Sequence, residues 1–176
     1  ERTERKLDFF TMPMLGYSLL ASFGGLALGK LGNFEAGERL LQKGLDNAQK
    51  IDDPIGLASI QCMTGIFFMQ KGDWKSAIKH LEPGIKLAKK INYTWVEAFC
   101  WCCLGYVNVM AGNIKIGKNY SKKGLRLHLK SGIEMSITYS YYASGMVCSE
   151  TGDWETALNY WEKALTISQK NNEKGN

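Results

Sequence analysis

Residues 72–92, GDWKSAIKHLEPGIKLAKKIN, and residues 152–172, GDWETALNYWEKALTISQKNN, decide the fold, because the second stretch repeats the pattern of the first. Both begin with Gly-Asp-Trp, and the two copies lie 80 positions apart (152 − 72). Glycine commonly ends one helix, and aspartate caps the N-terminus of the next. Each stretch therefore predicts a turn followed by a helix, and the repetition predicts an array of similar units.

Glycines mark the same register every 40 residues along the whole chain. Gly-Asn or Gly-Asp pairs begin at Gly32, Gly72, Gly112 and Gly152, and a second series lies seven residues upstream of them, at Gly25, Gly65, Gly105 and Gly145. Small residues at matched heights allow two helices to approach closely. The pattern predicts four two-helix units at about 14–50, 54–91, 94–131 and 133–171. The eight expected helices cover 14–31, 34–50, 54–71, 74–91, 94–111, 114–131, 133–151 and 154–171.

Composition is that of a folded domain. The 176 residues are 45% hydrophobic, and no apolar run is long enough to predict a membrane span. An odd number of cysteines, five, favours a reducing, cytoplasmic environment over a disulfide framework. We expect residues 1–176 to form one repeat domain. Residues 1–10 match the pattern of 41–50, so we also expect them to end a preceding helix of a longer array.

The pattern resembles the tetratricopeptide repeat. Its signature of an aromatic residue, Leu-Gly, Gly-Asp-aromatic and a small residue is followed by Trp101, Leu104, Gly105, Gly112 and Gly117, and by Gly72, Asp73, Trp74 and Ala77. The unit departs from the family in its length, 40 residues against the usual length of about 34. The resemblance implies an all-α, right-handed solenoid of about four helix-turn-helix repeats, similar to those of signalling scaffolds and large regulators.

The resemblance also implies a binding groove, because the first helix of each repeat lines the concave face in this family. Tyrosine and methionine suit adaptable contacts with a protein or peptide, which is the partner that we expect. The alternative is that this stripe is packing between helices. The residues carried over are Leu26, Cys62, Ile66, Met69, Phe99, Cys102, Tyr106, Val109, Tyr139, Tyr142 and Met146.

A second candidate surface is basic. Six Lys or Arg and two Glu give residues 112–151 a local charge of +4, within a net charge of +5. A helix over 114–131 would place five of these cations on one face, where they could meet phosphates or an acidic protein, or simply face solvent. Tyr120 is the one aromatic residue expected near them, which argues against nucleic acid. The five are Lys115, Lys118, Lys122, Arg126 and Lys130.

The residue types of common catalytic and cofactor sites are present but not in the required spacing. His80 and His128 occupy different repeat positions, and Cys100 and Cys103 lack the second pair that a zinc site needs. We therefore predict no enzyme activity, no metal and no cofactor. Two further hypotheses stay open beside the peptide groove: a sensor domain that binds a small effector, and self-association into a homo-oligomer.

Overall fold

The computed structural model describes residues 16–132 and 134–174, and every element in these ranges is an α-helix. The chain divides into two compact units, residues 1–93 and 94–176. The predicted fold class, an all-α helical repeat, is confirmed. Residues 1–10, for which a preceding helix was predicted, lie outside the described ranges.

Each unit consists of two helical hairpins. Unit 1 contains α1 (Gly16–Lys30), α2 (Phe34–Lys50), α3 (Pro54–Lys71) and α4 (Trp74–Lys90). Unit 2 contains α5 (Thr94–Met110), α6 (Ile114–Ser131), α7 (Glu134–Ser149) and α8 (Trp154–Lys174). In unit 1, α1 packs on α2 and α3 packs on α4, and both α1 and α2 contact α3. The same arrangement joins α5, α6, α7 and α8 in unit 2. Most described helix ends lie within two residues of the predicted ones.

The turns inside the hairpins explain the Gly-Asn and Gly-Asp pairs. The glycines at 32, 72, 112 and 152 all have positive φ, between 75° and 86°, which an L side chain adopts only with strain. The next residue begins a helix by accepting a bond from a backbone N–H: Asp73 Oδ1 lies 3.0 Å from the Ser76 nitrogen. Asn113 is the exception, because its side chain makes no such cap bond.

The upstream glycines lie where two helices touch. A Cβ added at Gly105 would lie 2.7 Å from the Ser121 nitrogen and 2.9 Å from the Gly117 oxygen. At Gly65 the same atom would meet the Leu81 side chain at 2.6 Å. Because these glycines have no side chain, the backbone of α5 can lie close to the backbone of α6, and the backbone of α3 can lie close to Leu81 of α4.

The core of each unit lies between its helices. In unit 1 it contains Leu41, Ile60, Phe67 and Leu81, each fully buried. In unit 2 the buried side chains are smaller and more polar, and they include His128 and Ser140. No described helix has the length and apolarity needed to cross a membrane.

Candidate functional site

The aromatic surface of unit 2 is the part of the predicted groove that reaches solvent. We define it as Phe99 and Tyr106 of α5 with Tyr139, Tyr142 and Met146 of α7. Tyr139 and Tyr142 are 51% and 55% exposed, whereas the other three side chains are half-buried. The Phe99 and Tyr139 rings lie 5.8 Å apart, so the surface is continuous across the contact between α5 and α7.

Neighbouring residues extend this surface and give it one acidic edge. Trp95 adds a fifth ring, with its centroid 5.7 Å from that of Phe99. Burial raises the pKa of Tyr106, and the Glu150 carboxylate and the Tyr142 hydroxyl raise it further. Tyr106 therefore stays a neutral phenol at physiological pH, and it offers the surface an apolar ring with an uncharged polar tip.

Three predicted groove residues belong to the core instead. Cys62 and Cys102 are fully buried, and Val109 is 7% exposed, so their side chains do not reach a partner. Val109 packs against α6, where a Cβ at Gly117 would lie 2.6 Å from its Cγ2. Placing these three residues in the groove was wrong, because α5 and α3 bury residues on almost every side. Such helices show little of the periodicity that separates an inner from an outer face.

The unit 1 residues of the predicted groove are less prominent. Leu26 of α1 and Ile66 and Met69 of α3 are half-buried. Exposed apolar side chains elsewhere on α1 were absent from the predicted set: Tyr17, Leu20 and Phe23.

The basic residues of α6 divide between different surroundings. Lys115, Lys122, Arg126 and Lys130 are exposed, whereas Lys118 and Lys123 are half-buried. Lys123 lies over the Trp101 ring, with Nζ 3.6 Å from the ring centroid, a cation–π contact. Tyr120 also contacts Trp101, at 4.8 Å between centroids. Trp101 could have joined Tyr120 in stacking on a base, but Lys123 of α6 covers its ring.

Lys118 and Lys122 line a pocket of about 280 Å³ between α6, α7 and α8. Sequence reasoning missed this pocket, which we call the α6–α7–α8 pocket. Its floor includes Ser121 and Ser144, whose hydroxyl oxygens lie 3.0 Å apart. The remaining lining residues are Val147, Cys148, Asp153, Thr156 and Tyr160.

The residues considered for catalysis have structural surroundings. Cys100 and Cys103 are buried, and neither is in a disulfide. His80 stacks on Phe68, with 5.4 Å between ring centroids, and its Nδ1 lies 2.8 Å from Gln61 Oε1. Within the described ranges, no three His, Cys, Asp or Glu side chains form a group that could hold a metal ion.

Comparison with solved structures supports the fold. A Signal Transduction ATPase with Numerous Domains (STAND) protein with a tetratricopeptide repeat sensor, from Pyrococcus horikoshii, matches 91% of this chain with a TM-score of 0.65 and 23% identity. The chain spans 26% of the length of that protein. BtubC from P. vanneervenii matches 89% of the chain, and 80% of its own length, with a TM-score of 0.53 and 16% identity.

No protein-family model matches the sequence, and a search of curated proteins finds no match either. The structural likenesses concern the fold. They agree with the residues that carry the tetratricopeptide pattern, and the chain is an all-α helical repeat similar in fold to a protein with a tetratricopeptide repeat sensor.

Proposed function

We propose that this chain is a non-enzymatic, partner-binding domain of a cytoplasmic regulatory protein. Its ligand is a peptide with apolar and aromatic side chains, and the aromatic surface of unit 2 binds it. The observation that carries this proposal is the pair of half-exposed tyrosines, Tyr139 and Tyr142, on α7 beside the rings of α5.

The chemistry of these side chains supports a protein ligand. Tyrosine and tryptophan supply large contact areas for little loss of conformational entropy, and they are enriched where protein interfaces gain most of their free energy. Met146 adds a flexible side chain that can adapt to different ligands. An extended or helical peptide could place side chains between Tyr139 and Tyr142, which are one turn apart on α7.

The similarity to a protein with a tetratricopeptide repeat sensor supports a regulatory setting. In that protein the repeats are called a sensor and accompany an ATPase. We propose the corresponding role here: the repeat domain recognises a ligand, and another part of the same protein responds.

Selection from a random peptide library tests the peptide ligand directly. We expect selected peptides to be rich in aromatic and aliphatic residues and to stay bound at about 1 M salt, where the screening length falls to about 3 Å. Tyr142→Glu should weaken their binding at least about tenfold, because the interface would then bury an unpaired carboxylate.

Tyr17→Glu is the matched control, since it introduces the same charge at a tyrosine of similar exposure, 47%, on α1. It should leave peptide binding unchanged. Equal losses in both variants, or binding that disappears at high salt, would contradict the proposed site. Circular dichroism of both variants would show that each remains folded.

A further inference from the structure

Three side chains that line the α6–α7–α8 pocket are smaller than their equivalents in unit 1. Phe67 and Phe68 of α3 are buried, with ring centroids 5.4 Å apart. Eighty positions later the chain has Val147 and Cys148, and Ser121 replaces the buried Leu41. Val147, Cys148 and Ser121 all line the pocket, whose volume is about 280 Å³.

The charge of the pocket also differs from that of unit 1. Lys118 and Lys122 stand where unit 1 has Glu38 and Gln42. Glu38 forms an ion pair with Lys71, at 3.6 Å. Among the described residues, neither Lys118 nor Lys122 has a carboxylate oxygen within 4.0 Å.

The other polar groups leave the pocket with a positive balance. Asp153 is the one acidic lining residue, and its Oδ1 already accepts a bond from the Thr156 nitrogen at 3.3 Å. Two ammonium groups and one carboxylate give the lining a net charge of +1. The Thr156 hydroxyl is a further donor for a bound oxygen, and so is whichever of the Ser121 and Ser144 hydroxyls does not donate to the other.

We propose that the α6–α7–α8 pocket binds a small organic anion, whose phosphate or carboxylate group lies between Lys118 and Lys122. Lysine ammonium groups bind such oxygens through charge-assisted hydrogen bonds. Val147 and the Tyr160 ring form a less polar wall for the rest of the molecule. The volume is just below the usual range for ligand sites, about 300–1,000 Å³, so the ligand is small.

The geometry separates this pocket from the aromatic surface. Both use α7, but Ser144 and Cys148 lie more than 100° around the helix from Tyr142, by about 100° for each residue. An anion could therefore bind while a peptide occupies the other face. The inference does not depend on the proposed peptide function, and either can fail alone.

NMR titration of the full chain with three probes tests the inference: inorganic phosphate, phenyl phosphate and benzoate, all at constant ionic strength. We expect saturable shift changes confined to residues around 118–122, 144–148 and 153–160. Stronger binding of phenyl phosphate or of benzoate identifies the anionic group, and phenyl phosphate should bind more tightly than phosphate alone. The absence of saturation with all three probes would overturn the proposal.

Two double variants distinguish binding of an anion in the pocket from general attraction of anions to a basic helix. Lys118→Gln with Lys122→Gln should weaken phenyl phosphate binding about tenfold or more, the effect of losing about 1.4 kcal/mol. Lys115→Gln with Lys130→Gln removes the same charge from exposed positions of α6 and should leave binding nearly unchanged. Equal losses in the two double variants would overturn the proposal.

Cys148 provides a second measurement that does not rely on charge. It is the only half-buried cysteine, the other four being buried, and it lines the pocket. A bound anion should slow alkylation of Cys148, and Val147→Phe should restrict the pocket and weaken binding while both lysines remain. Tyr142→Glu should leave anion binding unchanged. Alkylation at the same rate with and without saturating phenyl phosphate would count against the site.

Discussion

At the scale of single residues, the core of unit 2 contains a directed chain of hydrogen bonds. His128 Nε2 lies 3.0 Å from the Trp95 carbonyl oxygen, which can only accept, so Nε2 carries the proton. Nδ1 therefore accepts from the Ser140 hydroxyl. The Ser140 oxygen lies 3.3 Å from the Cys102 sulfur, whose S–H is the available donor. Together these bonds tie α6 to α5 and α7.

The neutral imidazole of His128 predicts a fall in stability at acid pH. Burial lowers the pKa of His128 below its ordinary value of 6.5, and the bond to the Trp95 carbonyl only partly opposes this. Below about pH 6.5 the unfolded chain then binds more protons than the folded one, so the free energy of unfolding decreases as pH falls. Melting temperatures measured from pH 7.5 to pH 5 should show this decrease.

His128→Asn should reduce the slope of melting temperature against pH, although it lowers stability at pH 7.5. His80→Asn is the comparison in unit 1, because burial and Lys79 also lower the pKa of His80. The double variant should have the flattest profile. A wild-type slope retained in the double variant would rule out the histidines as its source.

At the scale of helices, Gly105 and Gly145 occupy the same repeat position but have different neighbours. A Cβ at Gly105 would meet backbone atoms of α6, whereas the three atoms nearest to a Cβ at Gly145 all belong to the half-buried Trp161 side chain. Alanine favours a helix by about 1 kcal/mol over glycine at either position. Overpacking typically costs about 1–3 kcal/mol, and more where nothing can move.

Gly105→Ala should therefore destabilise unit 2 by about 1–2 kcal/mol, and Gly145→Ala should change its stability by less than about 1 kcal/mol. Urea unfolding followed by circular dichroism would measure both. Equal destabilisation would show that α6 moves away as easily as Trp161 rotates.

Proline has different effects at two positions of the α3–α4 hairpin. Pro83 is inside α4, where its missing N–H leaves one helical bond unmade, whereas Pro54 is the first residue of α3 and has no such bond to lose. We expect Pro83→Ala to stabilise unit 1 by about 1–3 kcal/mol and Pro54→Ala to be neutral or slightly destabilising. The urea midpoints of the two variants would test this difference. A loss of stability in Pro83→Ala would indicate that α4 needs the distortion.

Helix positions could be predicted from the sequence, but the exposed faces could not. Gly-Asp pairs fix a turn through positive φ and a cap, both of which depend on neighbouring residues. The first helix of each hairpin is apolar on almost every side. In α5, the periodicity therefore does not distinguish Cys102, which is buried, from Phe99, which is half-buried. That distinction depends on neighbouring helices distant in sequence.

At the scale of the molecule, contacts concentrate within residues 1–93 and within 94–176. Each unit has its own core, so we expect each to fold as a separate fragment. The helical signal and cooperative melting of the 94–176 fragment would test this, and His128→Asn should destabilise it. A disordered 94–176 fragment would show instead that the fold requires the whole chain.

The glycines and turn residues of the repeat do not indicate the α6–α7–α8 pocket, because they mark turns and close helix contacts and not the volume of core side chains. The informative comparison spans 80 residues, where Phe67 and Phe68 align with Val147 and Cys148. A loss of core volume can be recognised only when each residue is compared with the equivalent residue of the other unit. The hydroxyl pair of Ser121 and Ser144 depends further on the packing of α6 against α7.

The Gly-Asn and Gly-Asp pairs of the turns indicate one way in which such a pocket could arise. The pairs alternate as Gly-Asn, Gly-Asp, Gly-Asn and Gly-Asp, so each compact unit contains one pair of each kind. Duplication of an ancestral two-hairpin gene segment would leave this alternation. One copy could then keep its phenylalanines and remain a rigid structural element, while the other was free to lose them and acquire a ligand.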